Sequence, residues 1–150
     1  THPAGAAVYV DYAHNPNALE NALQSLRPVV SGKIVAVIGA GGDRDQDKRP
    51  AMGEIAARLA DSVIVTDDNP RGEDPAAIRR AILSRCVGAK EVGNRAEAIR
   101  FAVGLLGTGD TLLIAGKGHE HGQSIGNELL PFDDGDVARR AVAEIESSER

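Results

Sequence analysis

The sequence predicts an α/β fold, a mainly parallel sheet flanked by helices on both faces, with a C-terminal hairpin. Three observations predict it. Short apolar, β-prone runs alternate with segments whose apolar residues recur at helical spacing along nearly the whole chain. The run Lys33–Ile38 (KIVAVI) is apolar without alternation, as expected of a strand covered on both faces. The length, 150 residues, suits one domain with one core.

Each element has its own warrant. Ala6–Tyr12 (AAVYVDY) reads as strand one. Pro16–Leu26 places Ala18, Leu19, Ala22, Leu23 and Leu26 on one helical face, with Asn15 as N-cap and Pro16 at the first helical position. Lys33–Ile38 is the second strand. Pro50–Ala60 is a helix with Met52, Ile55, Ala56 and Leu59 on one side, and Ser62–Thr66 (SVIVT) is the third strand. Pro75–Arg85 is a helix carrying Ile78, Ile82 and Leu83, and Glu91–Val92 is a short strand. Arg95–Leu106 is a helix with Ala96, Ile99, Ala102, Val103 and Leu106, followed by the strand Thr111–Ala115 (TLLIA). Gln123–Leu130 reads as a hairpin turning at Gly126-Asn127. Asp136–Ile145 is the last helix, and Glu146–Arg150 a polar, frayed tail. No repeat, linker or low-complexity stretch interrupts the series.

Composition narrows the function. A net charge of −5 and only 3% aromatic residues, with no Trp, disfavour nucleic acid and membrane surfaces, which need a basic face or stacking platforms. No apolar stretch approaches the ~20 residues of a membrane span, and the first residues carry no signal-peptide pattern. One cysteine, Cys86, excludes an internal disulfide and a cysteine-based zinc site. It sits at a helix end beside apolar residues and reads as inert packing in a reduced, cytoplasmic setting.

Parallel strands joined by right-handed crossovers bring their following loops to one sheet edge, where ligands of such folds sit. Four loops collect the unusual residues. They are Asp11–Pro16 (DYAHNP), Gly39–Asp45 running on to Pro50, Asp67–Arg71 (DDNPR), and Gly116–His121 (GKGHEH). Arg44, Lys48, Arg49, Arg71 and Lys117 thereby mix with Asp43, Asp45, Asp67, Asp68 and Glu120. Guanidiniums hold carboxylates or phosphates bidentately, and Asp, Asn and Glu accept from ammonium groups, so the mixture suits a zwitterion. Each loop alone has a bland reading as a tight turn. The convergence of four is what favours a site. His119-Glu120-His121 is an awkward metal site, because adjacent residues of an extended segment face opposite ways, and no metal ligand is assigned. The glycines do not match a dinucleotide fingerprint. There is no G-x-x-x-x-G-K-[ST] loop, no G-x-S-x-G elbow and no nucleophile–base pair.

Taken together, Asp11–Pro16, Gly41–Met52 (GGDRDQDKRPAM), Asp67–Arg71 and Gly116–Glu120 (GKGHE) resemble, in order and spacing, the C-terminal domain of the Mur ligases. Within that family they are most similar to its diaminopimelate-adding branch. The resemblance implies a Rossmann-like domain, the third of three, that delivers the incoming amino acid. The preceding domains would bind the uridine nucleotide and carry the P-loop and magnesium ligands, so ATP and Mg2+ are expected to be held mainly outside these residues. It implies a full-length enzyme that uses ATP to join meso-diaminopimelate to UDP-N-acetylmuramoyl-L-alanyl-D-glutamate through an acyl phosphate, in cell-wall synthesis. It implies that Arg44 and Arg71 meet diaminopimelate carboxylates, that Asp68, Asn69, Pro70 and Glu120 surround its distal amino-acid end, and that Gly116 supplies a backbone contact. Asp11 and His14 correspond to residues that reach the nucleotide on closure. Lys48, Arg49 and Lys117 are left to structural pairing or phosphate proximity. No catalytic residue is expected in these 150 residues alone. The alternatives are another Mur or folylpolyglutamate-type ligase, which DYAH allows but DNPR argues against, and a stand-alone amino-acid or nucleotide-binding module.

Overall fold

The computed structural model describes residues 5–11, 13–41, 47–116, 122–125, 128–131 and 133–148. Five parallel strands form the main sheet: β1 (Ala7–Asp11), β2 (Ile34–Ile38), β3 (Ser62–Val65), β4 (Lys90–Glu91) and β5 (Thr111–Ala115), in the order β1-β5-β2-β3-β4. Five helices accompany them: α1 (Pro16–Leu26), α2 (Lys48–Leu59), α3 (Pro75–Leu83), α4 (Arg95–Gly104) and α5 (Asp134–Ser148). A separate antiparallel pair, β6 (Gly122–Ile125) and β7 (Glu128–Pro131), forms the expected hairpin, with Ile125 opposite Glu128. Its tip, Gly126-Asn127, lies outside the described residues.

Strand β2 shows why the run KIVAVI does not alternate. All five of its residues are buried. Ile34, Ala36 and Ile38 face a core shared with Leu19 and Leu23 of α1, Met52 and Ala56 of α2, and Ile78 and Ile82 of α3. Val35 and Val37 face a second core with Ala98, Ile99, Ala102 and Val103 of α4 and Ala138, Ala141 and Val142 of α5. The molecule is therefore three layers, with α1–α3 on one face and α4–α5 on the other. Cys86 is buried in the first core, and burial pushes its thiol pKa up, as inert packing requires. No described helix is long and apolar enough to cross a membrane.

The helix starts follow the predicted chemistry. The Asn15 side chain accepts from Ala18 N at 2.9 Å, with Pro16 first in α1. Asp74 and Asn94 cap α3 and α4 in the same way. Three expectations are corrected. Helix α2 begins at Lys48 rather than Pro50, since proline is tolerated in a first turn. Strand β4 is Lys90–Glu91, paired to Ile64 and Val65, rather than Glu91–Val92. Helix α5 begins at Asp134 and runs to Ser148, so Glu146–Ser148 is helix and not a frayed tail. Its early start is capped by Asp133, whose side chain accepts from Asp136 N and whose carbonyl accepts from Val137 N, both at 3.0 Å.

Candidate functional site

The insertion of β5 between β1 and β2 creates the site. After β1 and β2 the chain crosses the α1–α3 face; after β5 it proceeds toward α5 on the other face. A crevice opens at the carboxyl end of a strand where the connections diverge in this way. Gly116 stands there, directly after β5, with φ +118°, a conformation that side chains disfavour. Its N–H donates to the Asp11 carbonyl at the end of β1 (3.1 Å). A Cβ at this position would lie 2.9 Å from Asp68 Oδ2. Gly116 thus joins the loop after β1 to the loop after β3.

The loop after β3 reaches the crevice by passing close to β2. A Cβ on Gly39 would come within 2.7 Å of the Thr66 carbonyl and 3.1 Å of Asp68 N, so glycine is what permits the crossing. Thr66, fully buried, donates its N–H to the Ile38 carbonyl and its hydroxyl to the Gly93 carbonyl. Asp68 and Pro70 are buried, while Asn69 and Arg71 are partly exposed. Glu73 N donates to the Pro70 carbonyl at 3.0 Å, closing a four-residue turn. Arg71 sits inside that turn at φ +52°, the only described non-glycine residue with positive φ. Its guanidinium donates to the Asn69 carbonyl at 3.4 Å. From the hairpin, Gln123 Nε2 donates to the Asp68 carbonyl at 2.7 Å, tying β6 to the same loop.

Asp68–Arg71 and Gly116 are therefore brought together, and Asp11 adjoins them through Gly116. The Asp11 carboxylate is occupied by its own turn, accepting from Ala13 N at 2.8 Å. His14 is exposed on that loop. Arg44 and Glu120 lie outside the described residues, as do Tyr12, Lys117 and His121. Among the described residues no group of three or more His, Cys, Asp or Glu side chains is placed to hold a metal ion.

Behind the rim stand three arginines. Arg49, on α2, is 3% exposed and grips Glu73 through Nη1 and Nη2 at 2.9 Å each, with Nη2 also on the Gly41 carbonyl at 3.1 Å. Of the two fates left open for Arg49, structural pairing is the one observed; Lys48 is exposed. Arg79, on α3, bridges Asp67 and Glu91, joining the ends of β3 and β4 (2.5 and 2.8 Å). Burial nonetheless holds the Asp67 carboxyl above its ordinary range, outweighing the attraction of Arg79. Arg95, on α4, and Asp134, on α5, have fully buried side chains paired at 2.6 and 2.7 Å. Arg95 also donates to the carbonyls of Asp67 (3.1 Å) and Ala115 (3.0 Å).

Arg79, Arg95 and Asp134 escaped the sequence reading. One signal was available. Residues 95, 98, 99, 102 and 103 form the buried stripe of α4, so Arg95 occupies an inward position that its neighbours make apolar.

An α/β scaffold whose loops meet at a topological switch point belongs to the class of folds in which ligand sites sit at the carboxyl ends of the strands. Residues 1–118 match the family described as Mur ligase, glutamate ligase domain, and the chain belongs to that family. A UDP-N-acetylmuramoyl-L-alanyl-D-glutamate–2,6-diaminopimelate ligase of Agrobacterium fabrum is 60% identical over 144 residues, 96% of this chain. A solved structure of an enzyme of that name superposes over 93% of this chain with a TM-score of 0.88 at 42% identity. The bifunctional folylpolyglutamate synthase/dihydrofolate synthase of Yersinia pestis shares the fold, with a TM-score of 0.58 at 21% identity over 92% of this chain. The chain spans 29% of the length of the Agrobacterium relative and of the diaminopimelate ligase structure, and 28% of the folylpolyglutamate synthase.

Proposed function

We propose that this chain is the C-terminal, amino-acid-delivering domain of a longer ATP-dependent ligase. In this reading the ligase joins meso-diaminopimelate to UDP-N-acetylmuramoyl-L-alanyl-D-glutamate in peptidoglycan synthesis, in the cytoplasm. Relatives bearing that enzyme's name at 60% and 62% identity support the substrate. One observation in the fold carries it: the turn that presents Arg71 follows buried Asp68, which abuts Gly116 across the crevice. A guanidinium, a carboxylate and the Asn69 amide in succession complement the carboxylate and ammonium of an amino-acid end.

The domain's task is positioning, which converts a bimolecular attack into a local one. Arg71 and Arg44 take carboxylates of diaminopimelate; Asp68, Asn69 and Glu120 take its distal ammonium end, beside Pro70 and the Gly116 backbone. The free amine is thereby aimed at the activated γ-carboxyl of the D-glutamate, and phosphate leaves. Bound ATP and Mg2+ supply that activation, and we assign both mainly to the preceding domains, with Asp11 and His14 reaching the nucleotide on closure.

Diaminopimelate and lysine differ by one carboxylate. A guanidinium aimed at that group is left unpaired by lysine, a loss of roughly 3–5 kcal/mol when the pair is desolvated. In the full-length ligase, Arg71→Ala is expected to raise the KM for diaminopimelate on the order of a hundredfold or more, with the KM for ATP unchanged. An unchanged KM for diaminopimelate would sink the assignment.

A further inference from the structure

Arg49 breaks a local rule. It lies in the first turn of α2, where the helix dipole disfavours cations, beside Lys48 and with no acidic residue in that turn. Helix stability does not account for it. Its contacts do. The guanidinium is enclosed and spends both terminal nitrogens on Glu73, in the loop after β3, while Nη2 also holds the Gly41 carbonyl in the loop after β2.

Glu73 is the closing residue of the turn that contains Arg71. Its N–H is held by the Pro70 carbonyl, and its carboxylate by Arg49. Between these two fixed points Arg71 adopts φ +52°. A side-chain-bearing residue stays in that region only where surrounding contacts over-determine it. The fork of Arg49 is such a contact, because two parallel hydrogen bonds fix direction as well as distance.

We propose that Arg49 and Glu73 are positioning residues that lock the Arg71 turn against the loop leaving β2, and so set the enzyme's affinity and selectivity for its amino-acid substrate. The proposal rests on the amino-acid-delivery function above. Neither residue is assigned a contact with substrate. Arg49→Lys keeps the charge but loses the fork. Glu73→Gln keeps the shape but loses the charge, and Glu73 is the more accessible partner, so this variant tests the pair even if the first fails to fold.

In the full-length ligase, each variant is expected to raise the KM for diaminopimelate at least tenfold. The kcat and the KM for ATP stay within about twofold, and discrimination against lysine falls. The double variant resembles either single one, because both break the same link. A merely stabilising pair would lower thermal stability and leave the KM for diaminopimelate and the lysine discrimination at wild-type values; that result overturns the proposal. Wild-type enzyme that prefers a different amino acid overturns the substrate assignment instead. The same variants are then judged on that amino acid's KM, where a wild-type value again refutes the positioning role and a tenfold rise upholds it.

Discussion

Replacing Asp134 with alanine tests how the sheet ends are held. The Arg95 and Asp134 side chains are both fully buried, and two charge-assisted bonds of 2.6 and 2.7 Å join them. Asp134→Ala removes both and leaves a guanidinium enclosed with only the Asp67 and Ala115 carbonyls as neutral acceptors. An uncompensated buried charge of this kind costs about 3–5 kcal/mol. For a chain of this size that lowers Tm by roughly 6–20 °C, at about 2–4 °C per kcal/mol. Asp134 also opens α5, where a carboxylate gains about 0.3–1 kcal/mol from the helix dipole. Asp136 shares that gain, and its pair with Arg140 is exposed (side chains 43% and 71%). Asp136→Ala is therefore the control, expected to cost under about 1 kcal/mol. The assay is urea unfolding of the 150-residue chain followed by circular dichroism. Arg95→Met/Asp134→Leu should recover part of the single-variant loss, since no charge stays buried, but not all of it. The two carbonyls lose their donor, at about 1–3 kcal/mol for a buried group left unsatisfied. A loss below about 1 kcal/mol for Asp134→Ala, or one equal to that of Asp136→Ala, refutes the reasoning.

Three further outcomes follow from close approaches and titration. Gly53→Ala, in mid-helix, would ordinarily gain about 1 kcal/mol of helix propensity. Here the new Cβ would overlap the Ile82 carbonyl oxygen of α3, so a net loss of about 1–3 kcal/mol in urea unfolding is expected. Gly116→Ala combines φ +118° with a Cβ 2.9 Å from Asp68 Oδ2, and in the full-length ligase should raise the KM for diaminopimelate at least tenfold while kcat changes less. Asp110 accepts from the backbone N–H of Lys33 and Gly107, both at 2.8 Å, and these bonds hold its pKa below the ordinary carboxylate value. A depressed carboxylate contributes stability that is complete above its unfolded pKa, about 3.9. That contribution is lost as pH falls through the lower folded value. Asp110→Asn should therefore flatten the acid limb of the stability–pH curve below about pH 4 and lower stability at neutral pH; an unchanged acid limb counts against it.

The sequence was legible where one local cause decides the outcome. The α1 start, with Asn15 capping and Pro16 next, and the strand Thr111–Ala115 came out with the predicted bounds because capping and two-sided burial are local signals. Among the described residues, the ends of β1, β3 and β5 were legible as neighbours on one edge, since parallel strands leave little choice. What the sequence hid is the wiring behind the rim. Arg79, Arg95 and Glu73 take partners 12, 39 and 24 residues away, and no periodicity encodes such pairings. The start of α5 was misplaced although a local signal existed, since the Asp133 side chain caps it through Asp136 N. What lay beyond local reading is the partner of Asp134, Arg95 in another helix.

Charge placement at this edge separates into two kinds. Arg49 and Arg95 are buried with their terminal nitrogens on protein acceptors, while Nε of Arg49 has no hydrogen-bond partner among the described residues. Arg71 is partly exposed and held at φ +52°, and its guanidinium donates to the Asn69 carbonyl at 3.4 Å. A guanidinium so placed can be reached from solvent, whereas Arg49 would have to surrender a bidentate pair to engage anything else. Rigid cations thus build the frame, and a strained, accessible one faces the crevice. The same division lets a chain of net charge −5 keep a solvent-accessible guanidinium at this edge. Arg49, Arg79 and Arg95 behind this edge are paired with Glu73, Asp67 and Asp134, whereas Arg71 stays within reach of solvent.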